Sequence, residues 1–277
     1  MYQGWFLNLE RNETRRSALA QHLAGVGATD RYQRFDAVDG RAVAQRYPTQ
    51  LDPGNLGLWL SHLKLLDSQR QTGVHLHVIE DDTILAGHAV EQFDRLLMHA
   101  DAQPGGWDLI FTDTLVAADN IELFCLLSHI IEEFQQTGSH VLVDLHSIAF
   151  ACTSSFFLNR QSIDKYTSLI SDQWRLGVPI DLFIRDLVNR SLLKAYLTVP
   201  FLTSISATSQ QSDIAGDVSR SVAVGNAYRR AFFQDADLEA IDAQLKQLTK
   251  GIGAPSPLTM IYLRTLLFRL SDKWTPF

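Results

Sequence analysis

The stretch HLHVIEDD, His75–Asp82, runs an alternating apolar segment straight into three consecutive carboxylates. Its first six residues predict a strand, since side chains alternate faces at period two. Just upstream, LDPGNLGLWLSHLKLLDSQRQTG has a Pro-Gly start, apolar residues at helical spacing (Leu56, Trp59, Leu60, Leu63, Leu66) and Gly73 as a stop, which predicts a helix. The same alternation of types extends both ways. GWFLNL, YQRFDAVDG, WDLIFTD, HVLVDL, IAFAC and KAYLTVP read as strands. Helices are expected through Leu19 and Leu23, over His88–Met98, and over Leu123–Phe134, where Asp119 and Glu122 have capping-box spacing and Gly138 closes the helix. Two more follow in QSIDKYTSLI and DLFIRDLVNRSL. Strands alternating with helices imply an α/β fold with a mostly parallel mixed sheet flanked by helices. The expected division is a catalytic domain over residues 1–203, a Ser/Thr/Gln-rich loop over 204–225, and a helical C-terminal segment over 226–277 packed on the domain.

The bulk numbers narrow the function. A chain of 277 residues with 46% hydrophobic and 20% charged residues fits a globular protein with a sizeable core. A net charge of −7 argues against broad nucleic-acid binding. The two cysteines, Cys125 and Cys152, lack metal-ligand spacing, so a reducing, cytoplasmic setting is expected. The first residues lack the basic start and apolar run of a signal peptide. The most apolar window, IELFCLLSHII, is too short to span a bilayer.

In parallel sheets, ligands collect beyond the carboxyl ends of the strands. Glu80, Asp81 and Asp82 are placed at such an end, where their mutual repulsion is relieved either by solvent or by a divalent cation. Hard oxygen ligands without a nearby cysteine select Mg²⁺ or Mn²⁺, and such ions usually arrive with a phosphate group.

Several shorter patterns stand in a fixed order around this strand: Asn8-Leu9 followed by Arg15, then Ala37-Val38-Asp39-Gly40, then Pro53-Gly54-Asn55-Leu56-Gly57, Ser61-His62 and Glu80-Asp81-Asp82. In order and spacing the first third of the chain resembles glycosyltransferase family 25, which includes lipopolysaccharide sugar transferases and collagen galactosyltransferases. The resemblance continues more weakly through SSFFLNRQSIDKYTSLI and VPIDLFI. It departs at Leu58, where the family often has cysteine, at Thr112-Asp113, where it has Leu-Gly, and in the helix around Leu123–Phe134. What the resemblance implies is a GT-A-like nucleotide-sugar-binding fold. The implied activity is inverting transfer of galactose or another hexose from a nucleotide sugar, commonly UDP-galactose, to a glycan or lipid-linked acceptor such as lipopolysaccharide. The metal falls to Asp82 and Glu80, and the donor to Asn8, Arg15, Asp39, Ser61, His62 and Asp81. One-step inversion needs a group that deprotonates the acceptor hydroxyl. Asp181 is the first candidate, Asp113 the second, and Asp144 lies inside an apolar strand.

Each assignment has a structural counterpart. Asp39 suits a ribose diol, but also an Asp-Gly turn. Ser61 and His62 either contact the donor or support the carboxylate strand from a buried position. Asp181 follows Pro179 and is expected at a helix N-terminus, as base or as cap. His75 and His77 share one strand face, so with the acids they offer a second reading, a metal-dependent hydrolase. A third is a sugar-binding relative without catalysis. The apolar and basic stretch PLTMIYLRTLLFRLSDKW suits either packing on its own domain or a partner, or peripheral contact with the inner face of a membrane.

Overall fold

The structure is a computed structural model that describes residues 1–117, 119–206, 220–248, 250 and 274–276. Its centre is an eight-stranded sheet built from β1 (Tyr2–Asn8), β2 (Tyr32–Asp36), β3 (His75–Glu80), β5 (Leu109–Phe111), β6 (Val141–Asp144), β7 (Ser155–Leu158), β8 (Ala195–Val199) and β10 (Trp274–Pro276). The strand order is β10-β6-β8-β5-β7-β3-β1-β2. All strands point one way except β6 and β7, which makes the sheet mixed and mostly parallel in direction. A second, two-stranded ribbon pairs β4 (Thr83–Leu85) with β9 (Thr203–Ile205).

Helices cover both faces. On one, Leu7, Leu76, Val78, Phe111 and Phe156 pack against α3 (Pro53–Gln69), α5 (Ile121–Thr137), α6 (Ile163–Ile170) and α7 (Ile180–Asn189). On the other, Tyr2, Phe6, Ile79, Ile110 and Phe157 pack against α1 (Glu13–Gly25) and α4 (Ala89–Ala102). The alternation along β1 and β3 thus sends adjacent residues into different cores, as the pleat requires. The centre of β3 is buried on both faces, so His77 is enclosed along with Leu76, Val78 and Ile79.

Several local expectations shift. IAFAC is not a strand: Cys152 takes a left-handed backbone (φ 86°), and the adjacent strand is β7. The cap of α5 is Asn120 rather than Asp119, with Oδ1 accepting from Leu123 N at 3.2 Å. The division at residues 203 and 225 also differs from the packing. Helix α8 (Arg220–Ala231) begins inside the stretch read as a loop, and α9 (Leu238–Leu248) follows. The residues just after α8 enter both cores, Phe232 on one face and Phe233 on the other. Phe201 N donates to Phe232 O at 2.8 Å, tying this segment to the end of β8. No helix among the described residues is long and apolar enough to cross a membrane. The stretch proposed for membrane contact lies, up to Lys273, outside the described residues.

The Gly motifs have a steric cause. Helix α2 (Gly40–Val43) starts directly on α3, so a Cβ at Gly40 would lie 1.7 Å from Pro53 O, and one at Gly57 would lie 2.6 Å from Val38 O. Both contacts are with backbone, which cannot swing away. Alanine is normally the better helix residue by about 1 kcal/mol, yet Gly57→Ala is expected to destabilise the fold by roughly 1–3 kcal/mol. Chemical denaturation checks this, and an unchanged or raised midpoint contradicts it.

Candidate functional site

One edge of the sheet gathers the carboxyl ends of β1, β2, β3 and β5 and the start of the reversed strand β7. Glu80, Asp81 and Asp82 emerge there into an open cleft. The opposite wall is the glycine-rich crossing of Val38–Arg41 with Pro53–Gly57. Ser61 staples this wall: its Oγ accepts from Val38 N at 2.8 Å and donates to Gly57 O at 2.6 Å. Asp39 lines the cleft, pairs with Arg11 and caps α2 by accepting from Arg41 N at 3.0 Å. Arg11, Arg15 and Arg41 all border the cleft.

The three acids are not equivalent. Asp81 is buried and held from two sides, accepting from Asn8 Nδ2 at 2.7 Å and from Arg15 Nη1 at 2.9 Å. Asn8 does not line the cleft. Its Oδ1 accepts from Arg34 Nε at 3.0 Å, so Asn8 orients Asp81 instead of touching a ligand. Glu80 and Asp82 are half-buried, open into the cleft, and have no ion pair with any described residue. Burial, with Asp82 and Asp81 beside it, pushes the Glu80 carboxyl up to about 8. Burial also raises Asp82, against the pull of Arg15 and Arg229. Two adjacent acids in this state lack positive charge, since burial and like charge both penalise ionisation.

A metal fits this donor set in one mode. No group of three or more His, Cys, Asp or Glu side chains among the described residues forms a metal cage. Two carboxylates without an ion pair among the described residues suit Mg²⁺ or Mn²⁺ bound through one or two acids, with substrate phosphates and water completing the shell.

The remaining candidates separate. Asp113 is fully enclosed, and both its oxygens are occupied: Oδ1 accepts from Ser154 Oγ at 3.0 Å, and Oδ2 from Arg229 Nε at 2.8 Å and also from Nη2. A carboxylate so enclosed cannot reach an acceptor hydroxyl, so Asp113 is corrected from base to structural partner. Asp181 lies in the first turn of α7, as its sequence context implies. It is half-buried and outside the cleft lining. Its Oδ2 accepts from Cys152 N and its Oδ1 from Leu182 N, both at 2.9 Å. Asp144 caps its own turn through His146 N at 2.8 Å.

His62 also needs correction as a donor contact. It is buried at 1% exposure, stacks on Phe156 at 5.6 Å, and does not line the cleft. Helix α3 turns Ser61 to the cleft and the next residue into the core. The hydrolase reading loses its histidines for the same reason. His77 is enclosed between Tyr32 Oη (2.6 Å from Nδ1) and Ser155 Oγ (3.0 Å from Nε2), stacked on Phe157. His75 faces Asp101 near the other end of the strand. Gly4 makes the Tyr32 contact feasible, because the tyrosine ring crosses where its Cβ would be.

Burial lowers His62 to about 4 and His77 to about 3. Both are neutral when folded, whereas the unfolded chain takes up these protons below about pH 6.5. Acid therefore favours unfolding: each histidine's contribution is intact above pH 6.5 and declines as pH falls toward its folded value. His62→Leu is expected to reduce the stability loss below pH 6.5 by about 1.4 kcal/mol per pH unit down to about pH 4. Denaturant titrations across this range check it, and parallel slopes for the two proteins contradict it.

The residue that sequence reading missed is Arg229. It is 3% exposed on α8 and reaches Asp113, Ser154 Oγ and, at 3.6 Å, Cys152 Sγ. Burial disfavours its charge, but Asp113 outweighs this and holds the guanidinium firmly protonated. The signal available was YRRAFF, a basic pair among aromatic residues.

No family model matches the sequence, and no curated protein sequence matches it. Among solved structures, the chain is similar to mouse xyloside xylosyltransferase 1 in its apo form, at 10% identity and a TM-score of 0.36, over 69% of this chain and 70% of that one.

Proposed function

We propose that the protein is a glycosyltransferase that moves a hexosyl unit, galactose being the first choice, from a nucleoside-diphosphate sugar to a glycan acceptor. The observation that carries this reading is the Glu80–Asp82 couple at the carboxyl end of β3, which has no ion pair among the described residues and faces a cleft bordered by arginines. Behind the cleft, Asp81 pairs with Arg15 and the enclosed Asp113 with Arg229.

Mg²⁺ or Mn²⁺ at Glu80 and Asp82 would supply charge neutralisation for a departing nucleoside diphosphate. The protein's own groups do the rest. Arg11, Arg15 and Arg41 suit phosphate oxygens. The short side chains of the Gly40–Gly57 wall suit a flat base and a ribose. Asp181 is retained as the group that takes the acceptor proton, since two accepted hydrogen bonds leave lone-pair capacity on its oxygens. The acceptor is proposed to be lipopolysaccharide or a related lipid-linked glycan, reached from the cytoplasmic side, with the basic C-terminal stretch near the membrane. Inversion and UDP as the carrier belong to the same reading.

The test is a screen of nucleotide sugars for Mn²⁺-dependent binding by calorimetry, followed by turnover with glycan acceptors. Metal-dependent binding of one nucleotide sugar, with product formed on an acceptor, is the expected result. Nucleotide binding and metal dependence without product favours the sugar-binding relative. Absence of nucleotide binding with and without metal ends the reading.

A further inference from the structure

Helix α8 is seated against the segment that follows β5. A Cβ at Gly225 would lie 2.9 Å from Val116 O, so only glycine lets the helix backbone approach the segment that follows β5. Tyr228 on the helix and Phe232 just beyond its end pack against Phe124, at ring separations of 4.7 and 5.5 Å. Between these anchors Arg229 is driven inward. Its fork engages Asp113 and the hydroxyl of Ser154. The backbone carbonyl of Ser154 in turn accepts from Glu80 N at 2.8 Å and from Thr83 Oγ1 at 3.2 Å. The turn that carries Glu80 and Asp82 therefore hangs on a residue whose side chain Arg229 holds.

We propose that Arg229 is a positioning residue of the cleft that acts through charge: the C-terminal segment supplies it to cancel Asp113 behind the Glu80–Thr83 turn, which sets the charge presented to a divalent cation. The inference rests on the reading of Glu80 and Asp82 as a metal–diphosphate site. It makes the C-terminal segment part of the site rather than an appendage. Asp113 touches no ligand in this scheme, yet its charge balance with Arg229 governs how strongly the neighbouring carboxylates attract a cation.

The experiment measures Mn²⁺ binding to the full chain by the loss of the free-ion EPR signal, with and without UDP, alongside thermal stability. Three variants are compared with wild type: Asp113→Asn, Arg229→Met and the double variant. Asp113→Asn removes a negative charge and is expected to weaken Mn²⁺ binding by about tenfold, although the residue is not a ligand. Arg229→Met removes the positive charge and is expected to tighten Mn²⁺ binding without UDP by about tenfold. The double variant restores the charge balance and is expected to return within about threefold of wild type. An arginine that only stabilises the fold would not produce opposite shifts from the two single changes. If Arg229→Met fails to fold, Asp113→Asn and the double variant still decide. Equal Mn²⁺ affinity in wild type and Asp113→Asn, both folded, overturns the inference while leaving the metal reading intact. Absence of Mn²⁺ binding by wild type, with and without UDP, overturns both.

Discussion

Asp82→Ala should lower the affinity for UDP in the presence of Mn²⁺ by about a hundredfold or more, while leaving the unliganded protein as stable as wild type or more so. The two halves of this result have one cause. Asp82 is half-buried beside Glu80 and has no ion pair with a described residue, and burial raises its pKa. In the unliganded fold it is a burden, because it adds negative charge where two acids already face each other. Its removal relieves about 1 kcal/mol of repulsion and desolvation. A structural carboxylate behaves the other way: deleting Asp113 or Asp81 strands an arginine partner and costs stability. The measurements are calorimetric UDP titration with Mn²⁺ and thermal unfolding without it. Unchanged affinity would remove Asp82 from the site. Lost affinity with a fall in melting temperature of many degrees would show a folding defect instead.

Asp181→Asn should reduce sugar transfer by about a hundredfold or more with donor binding unchanged. Asparagine keeps an oxygen that can accept from Cys152 N or Leu182 N, the two contacts made by the carboxylate. It cannot take a proton. If Asp181 instead serves only to hold the Cys152 segment and the start of α7, the substitution costs about 1 kcal/mol of stability and leaves transfer within a few-fold of wild type. The place of Asp181 beside Cys152, itself in contact with Arg229, puts it near the carboxylate cluster without lining the cleft. Turnover at saturating donor, with donor affinity measured separately, distinguishes the two.

Much of the fold was legible because periodicity reports burial directly. β1, β2, β3, β5, β6 and β8 fall on the apolar runs that predict them, and Asp52 with Pro53 starts α3 as the Pro-Gly pattern implies. The misreadings share a cause. β4, β9 and β10 are three residues long and include Thr, Ser or Pro, unlike the equally short but wholly apolar β5, and IAFAC is apolar without being extended at Cys152. The polar composition around residues 204–225 spoke for a loop, while α8 is held by contacts at Gly225, Tyr228 and Phe232 that composition does not register.

The site divides along the same line. By itself the sequence determined that Glu80, Asp81 and Asp82 end a buried strand, that two glycine motifs precede it, and that Asp181 opens a helix, because each follows from neighbours a few residues away. Only the tertiary structure decided what each charge does. Asn8 and Arg15 claim Asp81 across 73 and 66 residues of sequence, and Arg229 claims Asp113 across 116. Helix α3 turns His62 into the core and Ser61 toward the cleft. A carboxylate's role depends on whether a cation reaches it, and side chains distant along the chain meet only when the sheet order and helix packing bring them to the same edge.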